Sequence, residues 1–186
     1  MNILTSTPSL TMYKIECKDK FLLRQISGSL NYFDIPIVNI ETKCYGQIFL
    51  ESNKNKIDLN FQNIQKSFFL PCRVIELVNE IKIILLDHYI KFDSLFYYPM
   101  RQILSSNISS LKLRHIHNII IEEILKNFDH QMSKEYLYKC IWPNDHEVQL
   151  NKLDTHLTNL KNTLRDSLNY NLIFKSVSGN IKFLIN

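Results

Sequence analysis

One run of this sequence constrains the fold more than any other. Leu150, Leu153, Leu157, Leu160 and Leu164 recur at steps of three, four, three and four residues. At 3.6 residues per turn these positions form a narrow apolar stripe, so the segment must be a helix laid against a body that covers its leucines. The opposite side carries Lys152, Thr155, His156, Asn159 and Asn162, flanked by Thr158, Lys161 and Arg165. Such a face is either the solvated side of a core helix or a row of side chains able to reach base edges in a major groove. Asn bonds adenine in bidentate fashion, Lys reaches guanine or phosphate, and Thr meets a thymine methyl.

The surrounding pattern gives that helix its setting. Upstream, Ile116–Phe128 places Ile116, Ile119, Ile120, Ile124 and Leu125 on one side of a helix. Ser133 is a good N-cap for a short second helix through Tyr136, Leu137, Cys140 and Ile141, ended by Pro143-Asn144-Asp145. Before these, Phe92–Tyr98, Gln102–Leu104 and Leu111–Leu113 read as three short strands. After the leucine stripe, Leu172–Val177 and Ile181–Ile185 flank a Ser178-Gly179-Asn180 turn and read as a hairpin. Strands, three helices and a terminal hairpin make a winged helix-turn-helix arrangement.

The first half has a different character. Strand-like stretches at Met12–Cys17, Ile35–Ile40, Gln47–Leu50, Ile57–Phe61 and Ser67–Leu70 alternate with helical spacing over Lys18–Leu30 and over Val74, Leu77, Val78, Ile81, Ile84 and Leu85. That alternation argues for a small α/β unit. The helical pattern stops at Asp87–Lys91, which sets the expected division into residues 1–88 and 89–186. The expected fold class is therefore α+β.

Charge and composition narrow the function. Of 186 residues, 22 are Lys or Arg and 18 are Asp or Glu, a net charge of +4. Residues 151–186 hold five cations (Lys152, Lys161, Arg165, Lys175, Lys182) against Asp154 and Asp166, so three of the four surplus charges lie there. There is no alanine while Asn, Ile and Lys abound, which we read as nucleotide bias and which argues against treating single Asn or Lys residues as selected. Four cysteines (Cys17, Cys44, Cys72, Cys140) sit 27, 28 and 68 positions apart, without zinc or redox spacing. No apolar run is long enough to span a bilayer, and Met1–Leu10 lacks the pattern of a secretory signal, so a cytoplasmic protein is expected. His115-Ile116-His117 has no Cys or carboxylate partner at ligand spacing and reads as ordinary surface histidine, so no metal is expected. Trp142 reads as an anchor between helices. No nucleophile–base arrangement, phosphate-binding Gly loop or paired carboxylate motif is present, so neither an enzyme nor a cofactor is expected.

Residues 90–186 resemble the OmpR/PhoB-type winged-helix DNA-binding domain. Leu153-Asp154-Thr155-His156-Leu157-Thr158-Asn159-Leu160-Lys161-Asn162-Thr163-Leu164 is similar to that family's recognition-helix signature. Ser133, Leu137 and Trp142 resemble its second helix, Leu111-Lys112-Leu113 the strand before its first helix, and Ser176-Val177-Ser178-Gly179 its wing. The chain departs from the family at Ser178, where Arg is usual, at Ile181, at Thr158 and Asn159, and at His117, where the first helix usually has Glu. The first half resembles a shrunken receiver domain. Lys18-Asp19 stands at its acidic pocket, Glu51 near the phosphoacceptor, and Leu70 where a lysine is usual. With Lys18 and Leu70 there, the resemblance implies a response regulator that works without phosphorylation.

These readings converge on a sequence-specific DNA-binding transcriptional regulator, expected as a homodimer on double-stranded DNA. The expected DNA-contacting residues are Asn151, Lys152, Thr155, His156, Thr158, Asn159, Lys161, Asn162 and Arg165 on the helix, with Lys175, Ser176 and Lys182 on the hairpin. Val74, Leu77, Val78, Ile81 and Leu85 are expected to pair two copies, and RNA polymerase is a further candidate partner. The alternative is an adaptor whose winged helix binds a protein of the transcription machinery and no DNA.

Overall fold

A computed structural model describes residues 13–33, 35, 37–38, 44, 46–127 and 129–184. Met1–Leu10 and the outer positions of some expected elements (Met12, 36, 39–40, Phe128, Ile185) lie outside the described residues. The chain is mixed α+β with five α-helices among the described residues, and it divides into two compact units between His88 and Tyr89.

The first unit opens with strand β1 (Tyr13–Cys17) and helix α1 (Lys20–Tyr32). Asp19 caps α1 by accepting from the N–H groups of Phe21 and Leu22 at 2.9 and 3.0 Å. Strands β2 (Ile37–Val38), β3 (Gly46–Ser52), β4 (Lys56–Phe61) and β5 (Ile64–Phe69) follow, then helix α2 (Val74–Asp87). The sheet order is β2-β1-β3-β4-β5, parallel across the first three strands and antiparallel across the last three. The reason is connection length. A parallel return needs a crossover of a dozen or more residues, whereas only three residues join β3 to β4 and two join β4 to β5. Gly46 is required by close approach, since a Cβ there would come within 2.6 Å of the Phe61 ring.

His88 closes this unit. Its Nδ1 lies 2.9 Å from Tyr13 Oη and its Nε2 lies 2.9 Å from Gln62 Nε2. The amide nitrogen can only donate, so Nε2 accepts, and Nδ1 carries the hydrogen donated to Tyr13. Burial holds this imidazole below its ordinary pKa and so keeps it neutral.

Leu77, Val78, Ile81 and Leu85 have no exposed surface, and α2 packs on α1. This corrects the expectation that they join two copies: a stripe consumed by the core has no surface to offer a partner. Val74 is half-buried, and the exposed apolar side chains of α2 are Ile75 and Ile83.

The second unit starts with an antiparallel sheet, β6 (Ile90–Phe92), β7 (Leu95–Tyr98), β8 (Ile103–Ser105) and β9 (Ser110–Lys112), in that order. Four strands stand where three were expected, because Asp93 takes a positive φ of 55° and turns the chain inside the apolar run. Helix α3 (His115–Lys126), strand β10 (Gln131–Ser133), helix α4 (Lys134–Ile141), helix α5 (Leu150–Leu168) and the hairpin β11 (Ile173–Val177) and β12 (Asn180–Leu184) complete it. Ser178 and Gly179 both have positive φ (48° and 78°), as a two-residue hairpin turn of type I′ requires. Strand β12 also pairs with β10, which ties the hairpin to the start of α4.

Buried under α3 is a polar network. Tyr97 Oη donates to Glu122 Oε1 at 2.9 Å, and Asn118 Nδ2 donates to the same oxygen at 2.9 Å. Burial outweighs these bonds and pushes the Glu122 carboxyl up to about 7 from an ordinary 4.5. Between those two values the folded chain keeps a proton that the unfolded chain has released, so stability falls as pH rises through that window. Above pH 7 the full cost is about 3 kcal/mol, taking about 1.4 kcal/mol per pKa unit. Glu122→Gln should therefore raise the melting temperature at pH 8 and leave it nearly unchanged at about pH 4; thermal melts by circular dichroism with identical pH profiles for both proteins would contradict this.

Candidate nucleic-acid interface

Helix α5 is nineteen residues long, and its leucines decide how it sits. Leu153, Leu157, Leu160 and Leu164 are fully buried, and Leu168 extends the ridge. Leu150, expected at the start of that ridge, is 38% exposed. Asn169, in the left-handed region at φ 52°, ends the helix, and its N–H and that of Tyr170 bond back to the carbonyls of Arg165 and Leu164.

The loop from α4 to α5 is fastened by charge and aromatic packing. Asp145 accepts from Tyr138 Oη at 2.6 Å and from Lys152 Nζ at 3.0 Å, and the Tyr138 hydrogen bond, then Lys152, hold its carboxyl below the ordinary range. Trp142 packs between Tyr138 (centroids 4.7 Å apart) and His156 (5.4 Å), with the Lys152 ammonium 4.0 Å from its ring centroid. At the other flank Lys134 donates to Asp154 Oδ1 at 2.6 Å, and its backbone N–H bonds the Gly179 carbonyl at 2.9 Å. Helix, loop and hairpin turn are thus held in one arrangement. Tyr138 and Lys134 were not singled out in the sequence, and Asp145 was read only as part of the turn that ends α4, because their partners lie seven to twenty positions away.

Within this frame the expected residues sort into groups. Asn151, Thr155, Thr158 and Asn159 are exposed on the outward face, with Asn162 half-buried beside them. The Thr155 and Thr158 hydroxyls donate to the carbonyls of Asn151 and Asp154 at 2.9 Å. Both threonines have thus committed their donors, whereas the side-chain amides of Asn151, Asn159 and Asn162 have no hydrogen-bond partner among the described residues. Lys152 and His156 are drawn onto Trp142, so the structure gives them an internal partner instead of a free outward position. Arg165 is exposed but bonded to Asp166 at 3.1 Å. Lys161 is half-buried and has no carboxylate partner among the described residues.

The hairpin residues form a separate patch. Lys175 and Lys182 are exposed and stand directly opposite one another, next to Ser176. No ion pair joins them to a carboxylate among the described residues. Like charges in register across a strand pair repel, which leaves this position poised for an anion. The expected surplus of three charges therefore survives folding at Lys161, Lys175 and Lys182, while Lys152 and Arg165 are neutralised locally.

A cavity of about 540 Å³ lies between the start of α3 and α5, lined by Arg114, His115, His117, His156, Asn159 and Asp166 among others. His117 was expected at the surface, but it is only 5% exposed, because the first turn of α3 packs beside α5. Among the described residues no group of three or more His, Cys, Asp or Glu could hold a metal ion, and no helix is long and apolar enough to cross a membrane.

No protein-family model matches this chain, and no curated protein matches it. Among solved structures it is similar to the DNA-binding domain of CadC from E. coli, with 14% sequence identity, a TM-score of 0.44, and coverage of 52% of this chain and 91% of that one.

Proposed function

We propose that the chain is a sequence-specific DNA-binding transcriptional regulator whose second unit is a winged helix of the OmpR/PhoB type. The observation that carries this reading is α5: a fully buried leucine ridge on one side and uncommitted Asn side chains on the other. Asn159, Asn162 and Asn151 read base edges, and the Thr155 and Thr158 methyls provide apolar contact. Lys161, Lys175 and Lys182 hold phosphates, the last two from the hairpin that pairs with β10. Asp145 and Trp142 keep the helix in register by engaging Lys152 and His156.

The first unit is proposed as a shrunken receiver relative that acts without phosphorylation. In support, its first three strands are parallel in the order β2-β1-β3, as in one half of a flavodoxin-like sheet, while β4 and β5 return antiparallel through short turns and depart from it. Lys18 follows β1, Glu51 lies near the end of β3, and Leu70 stands beyond β5; Glu16, Lys18 and Glu51 line one pocket, but among the described residues no three His, Cys, Asp or Glu side chains there could hold a metal ion. Two copies would assemble on adjacent half-sites about one helical turn apart. RNA polymerase is proposed as a further partner in the cell.

Selection of bound duplexes from a random pool tests the reading. Asn159→Ala should change the selected motif at one position, while Lys161→Ala should weaken all sequences alike. Binding should fall with salt on a log–log slope of about −3 for three phosphates neutralised, and Lys161→Ala should reduce that slope by about 1. No duplex binding at low salt would overturn DNA recognition and favour an adaptor that binds a protein of the transcription machinery.

Acetyl phosphate with Mg²⁺ should leave the intact mass unchanged. A stoichiometric phosphoprotein would contradict the proposal for the first unit.

A further inference from the structure

We infer that the cavity between the start of α3 and α5 is a binding site for a phosphate-class anion, built from Arg114, His115, His117 and His156 around an uncapped helix terminus. A helix start leaves N–H groups without intrahelical partners, and they are normally satisfied by a capping side chain. Here Arg114 occupies the N-cap position and makes no side-chain cap bond, and the first turn holds no acidic residue. The N–H groups of His115, Ile116 and His117 have no acceptor among the described residues. Arg114, His115, Ile116 and His117 all line the cavity, so the positive end of the α3 dipole adjoins a space lined with cationic or protonatable side chains.

The second observation is independent of the helix terminus. His117 is 5% exposed, lines the cavity, and has no hydrogen-bond partner among the described residues. Its ring nitrogens are not sealed in the core, since Ser27 Oγ is the orphaned buried side-chain atom among the described residues, so they open onto the cavity and are available to a ligand there. The charged and titratable groups lining the cavity are Arg114, His115 and His117 from α3 and His156 and Asp166 from α5. Asp166 is the one carboxylate of this set, and Arg165 partners it at 3.1 Å. Without an anion, burial first, and then the positive charges of His156 and Arg114, hold His117 below the ordinary imidazole range. An anion offsets the repulsion from His156 and Arg114 and adds attraction to the protonated ring, so binding and protonation of His117 favour each other.

The same chemistry has two sources: a phosphate of the DNA backbone brought in beside α5, or a free phosphorylated or sulfated small molecule. Only the first source rests on the DNA-binding proposal, so the test uses a probe that does not need DNA. Sulfate keeps both charges between about pH 6 and pH 7.5, so any pH dependence reports the protein. In titrations of the full chain followed by histidine ring NMR, the His117 and His156 signals should shift saturably with sulfate. Affinity should rise about tenfold on going from about pH 7.5 to about pH 6, in line with coupling to one imidazole. Arg114→Gln should weaken binding about fivefold or more at an exposed position that leaves the core intact, as loss of one charge-assisted donor predicts. His117→Gln should abolish the pH dependence, and His115→Ala supplies a second exposed variant should the buried substitution fail to fold. Shifts that stay linear and match those given by chloride at equal ionic strength would overturn the site. If a duplex displaces bound sulfate, the anion is a backbone phosphate; if sulfate and duplex bind together, the site serves a free anion. Either result supports the pocket, and failure of duplex binding alone bears only on the DNA-binding proposal.

Discussion

Burial of the leucines of α5 is the interaction on which the rest of the second unit depends. Each fully buried leucine contributes roughly 1.5–3 kcal/mol relative to exposure, and four of them lie in one line with no exposed surface. That ridge fixes the rotation of the helix about its axis. Once the rotation is fixed, Asn151, Thr155 and Asn159 must face outward, and His156 must turn toward α3 and Trp142. The site is therefore a consequence of packing, and its chemistry follows from which residues the sequence places opposite the leucines.

Electrostatics then divides the cations into two kinds. Lys134 and Lys152 serve the fold, bonded to Asp154 and Asp145, and they set the loop and hairpin turn beside α5. Lys161, Lys175 and Lys182 have no carboxylate partner among the described residues. Exposed ion pairs contribute little energy, so the value of the Asp145 cluster lies in geometry: it fixes the entry of α5 at the point where its outward face begins. The uncapped start of α3 adds a further positive region on the flank of the same helix.

Much of this was legible in the sequence. The steps of three and four in the leucines give α5, Ser133 gives the start of α4 by accepting from the Tyr136 N–H, and Ser178-Gly179 gives the hairpin turn. Elements that depend on distant partners were not legible. Strand β10 exists because β12 offers it a neighbour, and the split between β6 and β7 rests on a single positive φ at Asp93. The apolar spacing of α2 was read correctly as helix, but periodicity does not say which surface covers a stripe, and here it is the core. Likewise the charge of Lys152 was visible, while its capture by Trp142 and Asp145 required the folded chain. His117 looked like a surface residue because nothing in its neighbourhood of the sequence shows that α5 lies beside it.

The leucine ridge turns the Asn-bearing edge of α5 outward, and we propose that this edge reads DNA. Amide and side-chain NMR spectra of the full chain, recorded with and without a short duplex at low salt, test it directly. The account predicts shifts concentrated at Asn151, Thr155, Asn159 and Asn162 and at Lys175 and Lys182, with Leu157 and Leu160 little changed. Shifts absent from α5 and the hairpin, or confined to the first unit, would contradict it.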